Sequence, residues 1–218
     1  ISAGHALCTM PLGPRSALAT ATQIVDSHSA TVVGGQTPKR NVDTLHYDDG
    51  WIYEGKVDAD RLRQGAGTLR KDSAGTFYTG EWLDDRQHGV GRELDSSGIL
   101  YEGQFVQGSP CGHGVSSRDG RIIYDGQWSD GYYHGRGSLV HADGDTYVGE
   151  FRRDHLHGTG TMTSADGVVY TGTFVDGVSQ GQGTETFPDG DKYCGEFLGG
   201  ERNGPGTYIR ASGTITKG

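Results

Sequence analysis

Nine histidines in 218 residues raise the question of a metal site. His88, His134 and His157 occupy the same place, ten residues after a recurring tyrosine. Equivalent positions of successive repeats would lie about 10 Å apart, too far to share one zinc ion at about 2.1 Å each. His155 and His157 are the best remaining pair, but no third ligand is evident. The sequence therefore predicts no metal site and a structural hydrogen-bonding role for the histidines.

Glycine pairs and carboxylates are the other residues that could do chemistry. No Gly-x-Gly pair extends to GxGxxG before a helix, and GxxxxGK[ST] is absent, so no phosphate-cradling loop is expected. Acid–base catalysis needs carboxylates held in a cleft, whereas Asp48-Asp49 and Asp84-Asp85 are expected in solvated turns. Nucleophile-elbow and HExxH sequences are also absent. We predict no enzymatic activity and no cofactor.

The chain is acidic, with a formal net charge of -9 at pH 7. Residues 1–45 carry a net +1, so residues 46–218 carry -10. Nucleic-acid binding needs clustered Lys and Arg, and we therefore expect proteins as partners and no nucleic acid. The adjacent basic pairs of the sequence are Lys39-Arg40, Arg70-Lys71 and Arg152-Arg153.

Cysteine content and apolar runs bear on the compartment. Cys8, Cys111 and Cys194 are an odd set without CxxC spacing, which favours an intracellular location over secretion. Residues 1–40 contain no Glu and one Asp, in the manner of an organelle transit peptide, so a mitochondrion or plastid is an alternative to the cytoplasm and cytoskeleton. No apolar run approaches the roughly 20 residues of a transmembrane helix. Peripheral membrane association stays open.

An internal repeat organises the chain from about residue 46 onwards. Tyrosines recur every 23 residues, and Tyr53 precedes the first of them by 25, as in an irregular terminal repeat. We predict seven repeats within residues 46–218 and the start of an eighth at Thr216. Residues 1–45 lack the repeat and are expected to form an extended or disordered arm. The regular tyrosines are Tyr78, Tyr101, Tyr124, Tyr147, Tyr170 and Tyr193.

Each tyrosine begins an alternating pattern. Glycine stands two residues later and Trp or Phe four residues later, which predicts a half-buried strand. We expect the two aromatic residues to share one face as a structural ladder and the polar residues of the other face to meet a partner. The ladder comprises Tyr78, Trp82, Tyr101, Phe105, Tyr124, Trp128, Tyr147, Phe151, Tyr170, Phe174, Tyr193 and Phe197. The partner-facing positions are Glu81, Gln104, Gln127, Glu150 and Glu196.

Turn residues connect these strands into hairpins. Asp or Gly stands seven residues after each regular tyrosine, and Asp143-Gly144 and Asp166-Gly167 end two of the units. Glycine within a strand costs roughly 0.5 to 1 kcal/mol relative to alanine, so its repeated use implies bulky neighbours at close range. The sequence predicts an all-β fold: an elongated, twisted array of antiparallel β-hairpin repeats in one solenoid-like sheet.

The repeat resembles the membrane occupation and recognition nexus (MORN) repeat. The resemblance is clearest in Tyr124-Asp-Gly126-Gln-Trp128 with His134-Gly-Arg-Gly137. It implies a rigid hairpin ribbon of the kind found in cytoskeletal, ciliary and membrane-contact scaffolds. Such ribbons also occur as accessory modules on lipid kinases or methyltransferases. It implies no reaction.

These observations predict a non-catalytic scaffold or protein–protein interaction ribbon. We expect it to serve as an accessory subunit of a large organellar, ciliary or cytoskeletal assembly, with self-association as one form of pairing. Two alternatives stay open: a membrane-surface module that binds phosphoinositides, and a regulatory fragment of a larger enzyme. The exposed positions are Glu, Gln, Asp and Thr, which argues against direct lipid binding.

Overall fold

The computed structural model describes residues 42–218. They form one open sheet of sixteen antiparallel strands, in which each strand pairs with its neighbours in sequence. A single 3-10 turn, Asp72–Ala74, lies between the third and fourth strands. The strands are β1 (Asp43–His46), β2 (Ile52–Val57), β3 (Arg63–Lys71), β4 (Thr76–Leu83), β5 (Arg86–Leu94), β6 (Ile99–Val106), β7 (Ser109–Arg118), β8 (Arg121–Ser129), β9 (Tyr132–Val140), β10 (Thr146–Arg152), β11 (His155–Thr163), β12 (Val169–Val175), β13 (Val178–Thr186), β14 (Lys192–Leu198), β15 (Glu201–Ile209) and β16 (Ile215–Lys217).

Each repeat is one hairpin, as the tyrosine spacing predicts, and the pair β10–β11 is representative. Tyr147 and Phe151 are 0% and 3% exposed, whereas Val148 between them is 61% exposed. Successive side chains of a strand point to opposite faces, so one face of the sheet is apolar and the other is open. We call them the ring face and the open face.

The sheet extends slightly beyond the repeats. Strand β1 pairs with β2, so the sheet begins at Asp43, within the segment expected to be a separate arm. Residues 1–41 of that arm lie outside the part that the structure describes. At the other end, Thr216 of β16 pairs with Tyr208, as the first residue of an eighth repeat would.

The hairpin turns use the left-handed backbone region at two successive residues. Asp176 and Gly177 have φ values of 48° and 94°, the signature of the two-residue turns that match strand twist. Most of these turns contain a glycine. Asp84-Asp85 and Arg153-Asp154 do not, although all four residues have positive φ.

A bulge interrupts every hairpin at the same place. In β10–β11, Gly149 lies opposite Gly160, but the next residue, Glu150, lies opposite His157. Two residues of β11 are therefore extra, and one of them, Gly158, has a φ of 60°. The same register shift occurs in all seven hairpins.

The twelve ladder aromatics form the core. Ten of them are at most 8% exposed, and Trp128 and Tyr193 are half-buried against the rest. Each Trp or Phe contacts the tyrosine of its own repeat and that of the preceding repeat edge-to-face. Phe151, for example, lies 5.1 Å from both Tyr124 and Tyr147 between ring centroids. Such aromatic pairs contribute about 0.5 to 1.5 kcal/mol beyond the area they bury.

Candidate functional site

The ring face is closed by its own side chains. The Tyr147 hydroxyl donates hydrogen bonds to the carbonyl oxygens of Glu150 at 3.0 Å and His157 at 3.3 Å. Tyr78 and Tyr124 donate in the same way within their own repeats. The tyrosine hydroxyls therefore satisfy backbone carbonyls at these three bulges, and few polar groups remain on this face for a ligand.

A continuous row of glycines crosses the sheet from β2 to β15. Each is the register partner of the next, so fourteen successive strands have no side chain at this level. On the ring face the tyrosines fill the space above the row. The row consists of Gly55, Gly67, Gly80, Gly91, Gly103, Gly114, Gly126, Gly137, Gly149, Gly160, Gly172, Gly183, Gly195 and Gly206.

On the open face the same row is the floor of a groove of about 780 Å³. The groove extends from His113 in β7 to Gln182 in β13, and six strand spacings of about 4.8 Å give it a length of about 29 Å. Five glycines line its floor. Its wall residues are His113, Asp125, Arg136, Ser138, Val148, Thr159, Thr161, Thr171, Thr173 and Gln182.

The walls combine neutral, charged and apolar groups. His113 Nε2 lies 3.2 Å from a carboxylate oxygen of Asp125, and the hydroxyls of Thr161 and Thr171 lie 3.1 Å apart. Val148 contributes an exposed apolar surface between them. Short polar side chains with hydroxyl groups donate and accept hydrogen bonds without a fixed charge. This composition suits a polypeptide better than a highly charged polymer.

Three of the five positions expected to face a partner form hydrogen bonds within their own hairpin. The Gln127 Oε1 atom accepts a hydrogen bond from the Arg136 backbone N–H at 2.9 Å. Glu81 accepts one from the N–H of Val90 at 3.1 Å, across the bulge of its own hairpin. These side chains therefore compensate for the backbone pairing that the bulge removes.

The other three positions share this location. Glu150 accepts from the N–H and the hydroxyl of Thr159 at 3.3 and 2.9 Å, and these bonds lower the pKa of its carboxyl group. Gln104 and Glu196 stand beside the corresponding bulge glycines. None of the five lines the groove. Contact of these residues with a partner stays a prediction.

The wall residues were not identified from the sequence. Thr159-Gly-Thr161 and Thr171-Gly-Thr173 alternate threonine with a floor glycine, and this pattern is the signal that could have found them. The alternation places both threonines on the open face, on either side of the floor.

Three of the histidines accept hydrogen bonds through their backbone carbonyl oxygens. The carbonyl oxygens of His88, His134 and His157 each accept a hydrogen bond from the tyrosine of the same repeat at 3.3 Å. Within residues 42–218, His, Cys, Asp and Glu side chains do not come together in groups of three that could hold a metal ion. His155 lines a small notch at the turn edge of the sheet, together with His134.

Burial changes the acidity of the core tyrosines. Loss of solvation raises the pKa of Tyr53 and Tyr147 to about 12 and also raises the pKa of Tyr78 and Tyr124. Their hydroxyls therefore stay protonated to a higher pH than that of an exposed tyrosine, and the protonated state is the one that donates to the bulge carbonyls.

The described part of the chain contains no helix that is long and apolar enough to cross a membrane.

Fold and groove together define an open hairpin-repeat sheet with one closed and one accessible face. The family model of the MORN repeat matches six consecutive segments, and the chain belongs to this family. The family is a non-catalytic repeat module. The repeat at Tyr53 lies ahead of the matched segments but has the same glycine pair and tyrosine hydrogen bond. The matched segments are residues 78–99, 101–120, 124–146, 147–169, 170–192 and 193–215.

A search of curated proteins finds no match. Among solved structures, the chain is similar to the G-box domain of the microcephaly protein CPAP, with 11% identity, 81% of this chain and 97% of that chain covered, and a TM-score of 0.29. The SAS-4 (dCPAP) TCP domain of Drosophila melanogaster, in complex with a proline-rich motif of Ana2, gives 9% identity, coverages of 88% and 99%, and a TM-score of 0.28. These TM-scores are too low to bear on the function of this chain.

Proposed function

We propose that this protein is a non-catalytic scaffold whose open-face groove holds a polypeptide segment of a partner protein. The shape of the groove carries this proposal. It is a long, accessible trough lined by the open-face side chains and the glycine backbone, while the tyrosine rings packed against the same glycines close the other face.

The dimensions of the groove match a polypeptide. Its length of about 29 Å accommodates about nine residues of an extended chain at about 3.3 Å per residue, or about nineteen residues of a helix at 1.5 Å. Peptide grooves gain affinity from shape and from a few polar contacts. Val148 supplies the apolar contact, and the threonine hydroxyls supply the polar ones.

We propose an accessory role in a larger intracellular assembly, whether cytoskeletal, ciliary or organellar. A rigid ribbon about 72 Å long, from fifteen strand spacings of about 4.8 Å, can hold several components at fixed separations. The acidic charge of the chain argues against nucleic acid as the partner.

The test is affinity purification of the full chain from its native cells, with groove variants compared to wild type. Val148→Arg and Thr171→Arg place a long cation in the groove, while Val178→Arg places the same side chain on an exposed position outside it. We expect wild type and the Val178 variant to recover the same stoichiometric complex and both groove variants to lose it.

Circular dichroism must show that all variants retain the sheet. A complex that survives both groove substitutions would contradict the proposal. Recovery of the protein with lipid alone would contradict it equally.

A further inference from the structure

A row of basic side chains lies at the turn side of the groove. Arg152 in β10 is the register partner of His134 in β9 and of His155 in β11. Residues directly opposite on adjacent strands share a face, with Cβ atoms about 4.5 to 5.5 Å apart. Arg152 follows Val148 by four residues, so the row lies on the same face as the groove.

One guanidinium beside this row has no carboxylate partner. The row and Arg153 line a notch of about 450 Å³, in which Asp176 is the one carboxylate. Asp176 pairs with Arg152 at 3.0 Å. Among the residues that the structure describes, the side chains of His134, Arg153 and His155 have no hydrogen-bond or ion-pair partner.

The backbone at the notch is also held in an unfavourable conformation. Arg153 has a φ of 49°, and the same turn position has a positive φ in the other two-residue hairpin turns, where it is Asp84, Gln107, Asp130, Asp176 or Gly199. A long side chain in the left-handed region is disfavoured relative to glycine. The turn therefore presents a guanidinium where a glycine would fold more easily.

We propose that the notch binds a phosphate monoester on a serine or threonine of the polypeptide that occupies the groove. Two guanidinium groups offer forked N–H donors that match phosphate oxygens, and two imidazoles add further donors. The inference rests on the proposed function, because the notch lies beside the groove on the same face. A polypeptide is favoured over a bilayer because the basic residues occupy one concave site rather than a flat face.

Calorimetric titration of the full chain with a degenerate peptide pool tests this inference. One pool carries a central phosphoserine, and the matched pool carries serine. We expect wild type to bind the phosphoserine pool at least tenfold more tightly. The double variant Arg152→Gln/Arg153→Gln should lose this preference, and Arg118→Gln/Arg121→Gln, which removes the same charge from the exposed ends of β7 and β8, should keep it.

Equal affinity for both pools would overturn the inference. So would an equal loss in the two double variants, because it would show a nonspecific charge effect. Sedimentation with vesicles of phosphatidylcholine and phosphatidylserine in equal amounts is the third measurement, and binding to vesicles without binding to the phosphoserine pool would overturn it as well.

The titration also separates this inference from the proposed function. If the phosphoserine preference is absent but the groove variants still lose the native complex, the groove proposal stands alone. If the groove variants keep the complex while the preference is present, the notch binds phosphate independently of the groove, and the proposed polypeptide path is wrong.

Discussion

The ring of Tyr147 lies directly against Gly160 on the neighbouring strand. A Cβ atom built on Gly160 would be 2.3 Å from the tyrosine hydroxyl oxygen, and its three nearest heavy atoms would all belong to that ring. The glycine of β11 and the tyrosine of β10 are therefore a matched pair, and each repeat contains an equivalent pair.

Substitution of Gly160 by alanine should destabilise the sheet because the ring has to move. We expect an overpacking cost of about 1 to 3 kcal/mol in the free energy of unfolding, measured by urea denaturation. In a Tyr147→Ala background the clash is absent, and alanine in a strand is favoured over glycine by about 0.5 to 1 kcal/mol. The sign of the effect should therefore reverse. An equal cost in both backgrounds would show that the ring is not the cause.

The tyrosine hydroxyl has its own role. Tyr147→Phe keeps the ring but leaves the carbonyls of Glu150 and His157 without that donor, so we expect a loss of about 1 kcal/mol. Tyr132 is 47% exposed, and its hydroxyl has no hydrogen-bond partner within residues 42–218, so Tyr132→Phe is the matched control. A similar loss in both variants would disprove a specific role for the bulge hydrogen bond.

Sequence alone predicts the repeat, the hairpins and the ring face because those features depend on local spacing. Tyr147 and Phe151 are separated by an even number of residues, and this alone places them on one face. The task of Gln127 is not predictable, because the sequence does not mark the two extra residues of the bulge. The groove depends on the register between neighbouring repeats. Strand β1 carries no repeat pattern and is held by pairing with β2.

The side chains that accept a hydrogen bond from the backbone at the bulges should tolerate an exchange between amide and carboxylate. Gln127→Glu keeps an oxygen for the Arg136 N–H, and Glu occupies the same place in other repeats, so its stability should be close to that of wild type. Gln127→Ala removes the acceptor, and we expect a loss of about 0.5 to 1.5 kcal/mol by urea denaturation. A stable alanine variant with impaired partner capture would instead assign this position to the interface.

Alkaline pH should unfold the array through its tyrosines. Burial raises the pKa of Tyr53 and Tyr147 to about 12, compared with about 10 in an unfolded chain. The folded state therefore holds these protons more tightly, so their contribution to stability is complete below pH 10 and is lost as the pH rises towards 12. Circular dichroism and tyrosinate absorbance should change together in this window. Full ionisation of the core tyrosines with the sheet intact would contradict the hydrogen-bonding role of their hydroxyls.

Substitution of Arg153 by glycine should have opposite effects on phosphoserine binding and on the stability of the fold. Glycine adopts a positive φ without the steric penalty of a side chain, which favours the folded state. It also increases the entropy of the unfolded chain, which offsets part of this gain. We expect Arg153→Gly to stabilise the protein by about 0.5 to 1 kcal/mol in the balance. Gln107 occupies the same turn position in β6–β7 with a φ of 51°, and Gln107→Gly should give the same gain. We expect the Arg153 variant alone to lose the phosphoserine preference. If both variants are stabilised and both bind phosphoserine peptides as wild type does, the strained arginine serves no ligand, and the notch is an ordinary turn.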